Sequence, residues 1–230
     1  MMSENDLARN IEKISAEVKE SGVTLCAVIK NRTNEEIAFA LEHGINTVGE
    51  NRVQELLYHY DTLKSHNADV HFIGKLQTNK VKYIVDKVSV IESLDSVKLA
   101  SEIEKQAAKL EKKIDVLIEV NIGREEQKSG VLPEDLPAFI DEISRFGHLC
   151  PRGLMTVAPK CENISDYDVY FEQMRVLTRD VFGARFANAG RPVLSMGMSG
   201  NYAEAIKFGS TEVRIGTGLF GERPKNVQIP

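Results

Sequence analysis

One lysine at the end of a short apolar run is the first residue whose position points to chemistry. The run TLCAVIKN, Thr24 to Asn31, predicts a buried strand that delivers Lys30 at its carboxyl end. An amine removed from water loses part of its preference for the charged form, and a neutral amine attacks aldehydes. Lys30 is therefore a candidate Schiff-base lysine; the alternative is a surface lysine whose charged end stays in water.

Two glycine-rich stretches near the end of the chain have the composition of anion-binding loops. SMGMSGN contains Met198 and Ser199 between a predicted strand and a helix, and RIGTG contributes Gly216 and Thr217. Small residues leave backbone N–H groups accessible to a phosphate, and we predict a phosphate site on these two loops. Ser199 taken alone is also a good N-cap residue for the following helix.

Two further polar side chains lie inside predicted strands. Arg214 alternates with apolar neighbours in EVRIG, and a buried guanidinium needs an acceptor. Its partner is predicted to be Glu119, Glu50 or a heteroatom of a ligand. His71, in VHFIG, is either a hydrogen-bonded core histidine or a ligand contact. Because no second histidine or cysteine lies at ligand spacing from it, we predict no metal site.

The elements that must position these residues are eight short apolar runs, which alternate with segments of helical period. The runs are TLCAVIK, TVGE, VHFIG, VSVIES, DVLIEVN, RGLMTV, VLSMG and EVRIG. An amphipathic helix that ends near Gly22 precedes them. Eight parallel strands joined by helices predict a closed (β/α)8 barrel of the TIM type with an extra N-terminal helix, with an open doubly wound sheet as the alternative. The candidate residues would then meet at the carboxyl ends of the strands.

Composition limits the classes of function that the chain can have. Its 230 residues are 42% hydrophobic and 27% charged, with a formal net charge of −5. These values are typical of a globular protein without a basic surface for nucleic acid. No run of apolar residues is long enough to cross a membrane, and three cysteines without a C-x-x-C pair are expected to be free thiols. We expect residues 1–230 to form one cytoplasmic domain.

The ordered motifs GENRVQE, HFIGKLQTNK, EVNIGREEQKSG, GLMTVAP and SMGMSGNYAEAIKFGSTEVRIGTGLFG closely resemble those of the pyridoxal phosphate homeostasis proteins (the YggS/PROSC family). These are single-barrel relatives of the N-terminal domain of alanine racemase, and the resemblance runs from about Val23 to Arg223. It implies a fold-type III barrel that holds pyridoxal 5′-phosphate (PLP) as a Schiff base on Lys30. It further implies cofactor contacts from Asn51, His71, Met198, Ser199, Arg214, Gly216 and Thr217. In this arrangement Arg214 faces the pyridine nitrogen, and Ser199, Gly216 and Thr217 hold the phosphate.

The function that the resemblance implies is storage, delivery or buffering of PLP without robust catalysis. An arginine donates hydrogen bonds and keeps the pyridine nitrogen unprotonated, which makes the cofactor ring a weaker electron sink. Alanine racemase also uses a tyrosine from a second domain, and we expect no such domain in a chain that ends at Pro230. The expected partners are PLP and, transiently, PLP-dependent apo-enzymes, and we expect a monomer that binds neither nucleic acid nor membranes. The alternatives are a racemase-like PLP enzyme and a cofactor-free Schiff-base aldolase.

The chain departs from the family pattern at a few positions. The first strand reads VIKN, with Ile29 and Asn31, in place of a Ser-Lys-Thr-like run; Val70 replaces a frequent tryptophan, and Asn201 replaces an aspartate. Three other lysines are candidates for a secondary PLP site, namely Lys82, Lys128 and Lys207.

Overall fold

A closed barrel of eight parallel strands forms the centre of the molecule in the computed structural model, which describes residues 3–186 and 190–222. Each strand pairs with the next, and the last pairs with the first. The strands are β1 (Thr24–Val28), β2 (Thr47–Glu50), β3 (Asp69–Phe72), β4 (Val90–Leu94), β5 (Ile114–Glu119), β6 (Leu149–Met155), β7 (Val193–Met198) and β8 (Glu212–Ile215). The predicted barrel is confirmed, and the doubly wound alternative is wrong.

Helices surround the barrel and connect successive strands. They are α1 (Glu4–Glu20), α2 (Asn34–Glu42), α3 (Val53–Ser65), α4 (Val97–Lys109), α5 (Leu136–Ile143), α6 (Asp168–Val176), α7 (Gly183–Arg185), α8 (Tyr202–Lys207) and α9 (Thr217–Phe220). A π-helical turn (Leu177–Phe182) joins α6 to α7, and a short 3-10 helix (Thr78–Tyr83) takes the place of an α-helix between β3 and β4. In the part of the chain that the structure describes, no helix is both long and apolar enough to span a membrane.

The N-terminal helix is present as predicted, and its boundaries follow from the sequence. Ser3 caps it by accepting a hydrogen bond from the backbone of Asp6, and its apolar stripe of Leu7, Ile11, Ile14 and Val18 is buried. The side chain of Asn10 donates to the carbonyl oxygen of Leu219 at 3.1 Å. This contact ties α1 to α9, directly beside one of the two predicted phosphate loops.

Both faces of the barrel wall are buried, but they differ in character. In β8, the polar Glu212 and Arg214 alternate with the apolar Val213 and Ile215, and all four are buried. Side chains of a strand alternate between its two faces, so one face of β8 is apolar and the other is polar. The apolar face packs against the helix layer, where most of the core lies. The barrel interior is the polar side, and it leads to the candidate site.

Candidate functional site

A cavity of about 460 Å³ opens at the carboxyl ends of the strands. Seven of the eight predicted cofactor contacts line it: Lys30, Asn51, Met198, Ser199, Arg214, Gly216 and Thr217. Residues far apart in the chain therefore meet at one place, as the barrel prediction requires. The volume is in the range of small-molecule sites. Gly200, in the predicted phosphate loop SMGMSGN, also lines the cavity, as do Val28, Ile73 and Val157, which were not predicted as contacts.

Lys30 lies in a turn that its backbone neighbours hold in place. The strand ends at Val28, two residues earlier than the run TLCAVIK indicates, and Lys30 is partly buried beyond it. The amide of Ile29 donates to the carbonyl oxygen of Gly49 at 3.1 Å, and the amide of Asn31 donates to Glu55 Oε2 at 2.7 Å. Both donors are backbone amides, so these bonds hold the turn independently of the side chains at positions 29 and 31.

Asn31 adopts a left-handed backbone conformation, with φ of 56°. Asparagine tolerates this region better than most residues that have a side chain. The turn accordingly presents Lys30 to the cavity on a backbone that is fixed on both sides.

A buried carboxyl group lies behind this turn. Glu50 is 0% exposed, and its Oε1 accepts hydrogen bonds from the amides of Asn51 (2.5 Å) and Arg52 (3.1 Å). Its Oε2 has no hydrogen-bond partner among the described residues. Burial raises the pKa of Glu50 to about 8, with a further increase from the charge of Glu55 and a decrease from that of Lys30. Glu50 is thus mostly protonated at neutral pH.

The two glycine-rich loops are joined by a hydrogen bond. The amide of Gly218 donates to Ser199 Oγ at 3.0 Å, so the loop after β7 is fastened to the loop after β8. Ser199 is not the N-cap of α8, contrary to that alternative; the cap position is Asn201. The side chain of Asn201 accepts from the amide of Met198 at 2.7 Å, a bond that an aspartate could also make. The departure at Asn201 therefore preserves the loop geometry.

Arg214 projects into the barrel interior and reaches the cavity. Its Nη1 donates to Ser195 Oγ at 2.5 Å, and its Nη2 donates to the carbonyl oxygen of Thr156 at 2.7 Å. Its carboxylate neighbour is Glu92, whose Oε2 lies 3.8 Å from Nη1. The prediction that Arg214 pairs with Glu119 or Glu50 is therefore wrong: the carboxylate beside it is that of Glu92. The sequence did not identify the partner, because β4 and β8 are distant in the chain.

His71 is the predicted contact that does not line the cavity. It lies deeper in the barrel, where Nδ1 is 2.8 Å from Glu92 Oε1 and 3.5 Å from Glu212 Oε2. Its Nε2 is 3.3 Å from Asp69 Oδ2. Burial alone would lower its pKa, but hydrogen bonds to Asp69, Glu212 and Glu92 raise it to about 12. His71 is accordingly a charged member of a buried cluster.

The two carboxyl groups of this cluster have different protonation states. Burial favours the neutral form of Glu92, but the hydrogen bond from His71 and the charge of Arg214 outweigh it and lower its pKa. Burial and the neighbouring charge of Glu92 raise the pKa of Glu212, which has the weaker contacts with His71. Glu92 is therefore the ionised member, and Glu212 retains its proton more readily.

The same cluster has ligand types that metal ions use. The potential ligand atoms of Cys26, His71, Glu92 and Glu212 lie within 4.8 Å of one another, and all four residues are buried. The four residues come from four different strands, so their spacing along the sequence does not reveal the grouping. A metal ion would have to displace the protons of His71 and Cys26. Since the charges of Arg214 and His71 are already balanced by those of Glu92 and Asp69, the cluster needs no ion for charge neutrality.

Glu92 and Ser195 are the main interior residues that sequence reasoning missed. Each is a buried polar residue within a predicted strand run, VSVIES and VLSMG respectively. A polar residue in the middle of such a run was the available signal, since buried polar groups have partners.

Glu119, at the end of β5, is another ionisable group at the carboxyl ends of the strands. Its burial raises the pKa of Glu119 to about 7, with a further increase from the charge of Asp95.

The three other lysines lie outside this cavity. Lys82 is 4.9 Å from the ring centre of Tyr83, and Lys207 pairs with Glu204 at 2.7 Å. Lys128 pairs with Glu125. Lys82 and Lys207 are exposed, whereas Lys128 is half-buried, as Lys30 is. Lys128 also donates to the carbonyl oxygen of Val157 at 3.5 Å, and Val157 lines the cavity.

Comparison with known proteins gives a consistent result. The model of the alanine racemase N-terminal domain matches residues 2–224. A pyridoxal phosphate homeostasis protein of Aquifex aeolicus is 44% identical over 222 residues, which cover 94% of this chain and 96% of that protein.

Solved structures support the same relationship. PipY of Synechococcus elongatus PCC7942, solved without PLP, has a TM-score of 0.87 and 31% identity over 94% of this chain and 100% of that chain. The same protein with PLP bound gives a TM-score of 0.85 at 30% identity, with the same coverage. Alanine racemase of Corynebacterium glutamicum shares the fold, with a TM-score of 0.74 and 17% identity over 96% of this chain and 62% of that chain.

Proposed function

The chain belongs to the pyridoxal phosphate homeostasis proteins, within the family of the alanine racemase N-terminal domain, and from this premise we propose that it binds PLP in the cavity and holds it in reserve. Bound PLP supplies an aldehyde that forms a Schiff base with an amine, a ring nitrogen that accepts a hydrogen bond, and a phosphate. The observation that carries the proposal is that one cavity presents a lysine, an arginine and two joined glycine-rich loops.

The residues of the cavity fit these three groups. Lys30, on its anchored turn, provides the amine, and Arg214 provides the donor for the ring nitrogen. Ser199, Gly216 and Thr217 provide a hydroxyl-rich and N–H-rich wall for the phosphate.

Asn51 provides an independent test of this fit. It lines the cavity, and its Oδ1 is buried without a hydrogen-bond partner among the described residues. A buried carbonyl oxygen without a partner is costly, and a ligand that donates to it, as the ring hydroxyl of PLP can, removes that cost. Gly74 packs against the backbone of Asn51 so closely that an added Cβ would lie 2.1 Å from its carbonyl oxygen. Asn51 is thus held in position before any ligand arrives.

We propose a carrier rather than a racemase because of what the cavity wall lacks. Racemisation of an amino acid needs a proton-transfer group on each face of the reacting carbon. Among the described lining residues, Lys30 is a base that could serve one face, and the wall has no carboxylate, imidazole, phenol or thiol for the other. This supports cofactor storage, delivery or buffering, with PLP-dependent apo-enzymes as recipients. The proposal includes a single-domain monomer that acts in the cytoplasm.

The test is the absorption spectrum of the purified protein after incubation with PLP, before and after borohydride reduction. We expect a visible band that borohydride abolishes and that Lys30→Ala lacks. Lys105→Ala is the matched control, since Lys105 is an exposed lysine outside the cavity. A protein that takes up no PLP, or a band that persists in Lys30→Ala, would overturn the proposed site. Turnover of L-alanine to its enantiomer at enzymatic rates would instead establish the racemase-like alternative.

A further inference from the structure

A line of buried hydrogen bonds begins at Arg214 and runs from the cavity into the barrel interior. The guanidinium is held at two points, Ser195 Oγ and the carbonyl oxygen of Thr156. Within the described residues the structure records no other hydrogen bond from Arg214. A planar guanidinium has five N–H donors, so these two contacts fix its plane and leave further donors for a ligand.

The hydroxyl of Ser195 transmits this arrangement to the next residue. Its oxygen accepts from Arg214, and its single hydrogen can be donated to only one carboxylate. Two are within reach, Glu92 Oε2 at 2.7 Å and Glu212 Oε1 at 2.9 Å. Because Glu92 is ionised and Glu212 retains its proton more readily, Glu92 is the better acceptor. The chain of donors therefore runs from Arg214 through Ser195 to Glu92.

Glu92 is the centre of the line and is itself held on both sides. It is 0% exposed, and its two oxygens face Ser195 and His71 respectively. His71 continues the line to Asp69, whose side chain is 49% exposed. Asp69 begins β3, at the end of the barrel opposite the cavity. The interior is therefore crossed by alternating positive and negative side chains from one end to the other.

We propose that Glu92 and Ser195 are positioning residues that aim the guanidinium of Arg214 at the cavity, where it meets the ring nitrogen of PLP. The identity of that ligand rests on the proposed function, whereas the fixing of Arg214 does not. Glu92 supplies the counter-charge that permits a buried arginine, and Ser195 sets the orientation of the guanidinium. Neither residue lines the cavity. They act on the ligand only through Arg214.

The first test uses the protein without PLP and observes the arginine directly. A guanidinium held by fixed partners rotates slowly and gives resolved Nη–H signals in the NMR spectrum of 15N-arginine-labelled protein, and Arg214→Lys identifies the signals of Arg214. We compare Ser195→Ala and Glu92→Gln with Ser93→Ala. Ser93 is a matched control because it is a buried strand serine whose hydroxyl has no hydrogen-bond partner among the described residues.

We expect Ser195→Ala to increase the rate of guanidinium rotation by about tenfold or more, because it removes one charge-assisted hydrogen bond of Arg214. Glu92→Gln removes the counter-charge of Arg214 and should also increase the rate. Ser93→Ala should leave the rate unchanged. Signals of Arg214 that stay as in the wild type in both variants would overturn the positioning role. If Glu92→Gln does not fold, Ser195→Ala carries the test, because it keeps the ion pair.

The second test measures PLP in the same proteins. We expect Ser195→Ala to weaken PLP binding by about tenfold. Glu92→Gln removes a negative charge near the site, so the pH at which the visible band titrates should fall by on the order of one unit. A loss of packing alone would not produce that shift. If the NMR result is as expected but the wild type binds no PLP, the positioning of Arg214 stands and the proposed function is wrong.

Discussion

Replacing Glu50 by glutamine should stabilise the protein at alkaline pH, since the native carboxyl group is kept protonated by its surroundings. Glu50 is fully buried, and only one of its oxygens accepts hydrogen bonds, from the amides of Asn51 and Arg52. A glutamine has nearly the same shape and keeps an acceptor oxygen for those two amides. Its amide nitrogen takes the place of the second oxygen, where a protonated carboxyl group also carries a hydrogen.

The size of the effect follows from the difference between the native and unfolded pKa values. The pKa of Glu50 is raised from 4.5 to about 8, so between these values the native state binds a proton that the unfolded chain has lost. The contribution of this group is fully present below pH 4.5 and is lost as the pH rises to about 8. At about 1.4 kcal/mol per pH unit, the loss is on the order of 5 kcal/mol. Glutamine does not titrate in this range, so the variant does not lose this stability as the pH rises.

The assay is urea unfolding of Glu50→Gln and the wild type at pH 5, 7 and 9. We expect similar free energies of unfolding at pH 5, an advantage for the variant at pH 7, and a larger advantage of several kcal/mol at pH 9. The difference between the two proteins isolates Glu50 from other titrating groups. Glu126→Gln, at an exposed loop position, is the control and should change stability by less than about 0.5 kcal/mol. A difference that does not grow with pH would refute the reasoning.

Three further substitutions test packing and the site. Gly153→Ala places a Cβ 1.8 Å from a backbone carbonyl oxygen of β7, so it should lower the free energy of unfolding by more than about 4 kcal/mol in thermal unfolding. Gly147→Ala is the control, since the nearest atom to its added Cβ is 3.8 Å away, and its effect should be small. Equal losses of stability in the two variants would contradict the close packing at Gly153. Gly74→Ala displaces Asn51 and should weaken PLP binding by about tenfold or more in a spectroscopic titration, and unchanged affinity would remove Asn51 from the site. Phe171→Ala, at a side chain that is 1% exposed, should lower the free energy of unfolding by about 3–5 kcal/mol in urea, and a loss below about 1 kcal/mol would show that the helix layer repacks.

The sequence was sufficient for the barrel because its signals are local and repeated eight times. A short apolar run can be recognised without knowing its neighbours, and the alternation with helices leaves few topologies. The cavity was also predictable, since the carboxyl ends of parallel strands bring Lys30, Ser199 and Arg214 together. The boundaries of β1 were less accurate, because Ile29 is as apolar as a strand residue although it begins the turn.

The contacts inside the barrel could not be predicted in the same way. The partner of Arg214 depends on which side chains of β4, β7 and β8 share the interior face and at what height, and each strand contains several polar residues. Glu119 and Glu50 were reasonable partners by charge, yet Glu92 has the position that reaches both Ser195 and His71. Such a choice depends on the register between strands that are distant in the chain, and local sequence patterns do not show which polar residues share a level of the barrel.

The separation of the two faces of the barrel wall has a consequence for how the site is controlled. The outer face of the wall and the helices contain most of the apolar core, whereas the interior contains a charge-balanced network that ends at the cavity. A substitution such as Ser195→Ala removes a hydrogen bond of Arg214 at the cavity but keeps its pairing with Glu92 and the large apolar contacts. A substitution such as Phe171→Ala does the opposite. If both behave as expected, ligand affinity and fold stability in this protein are set by different layers of the same wall, and each can change without the other.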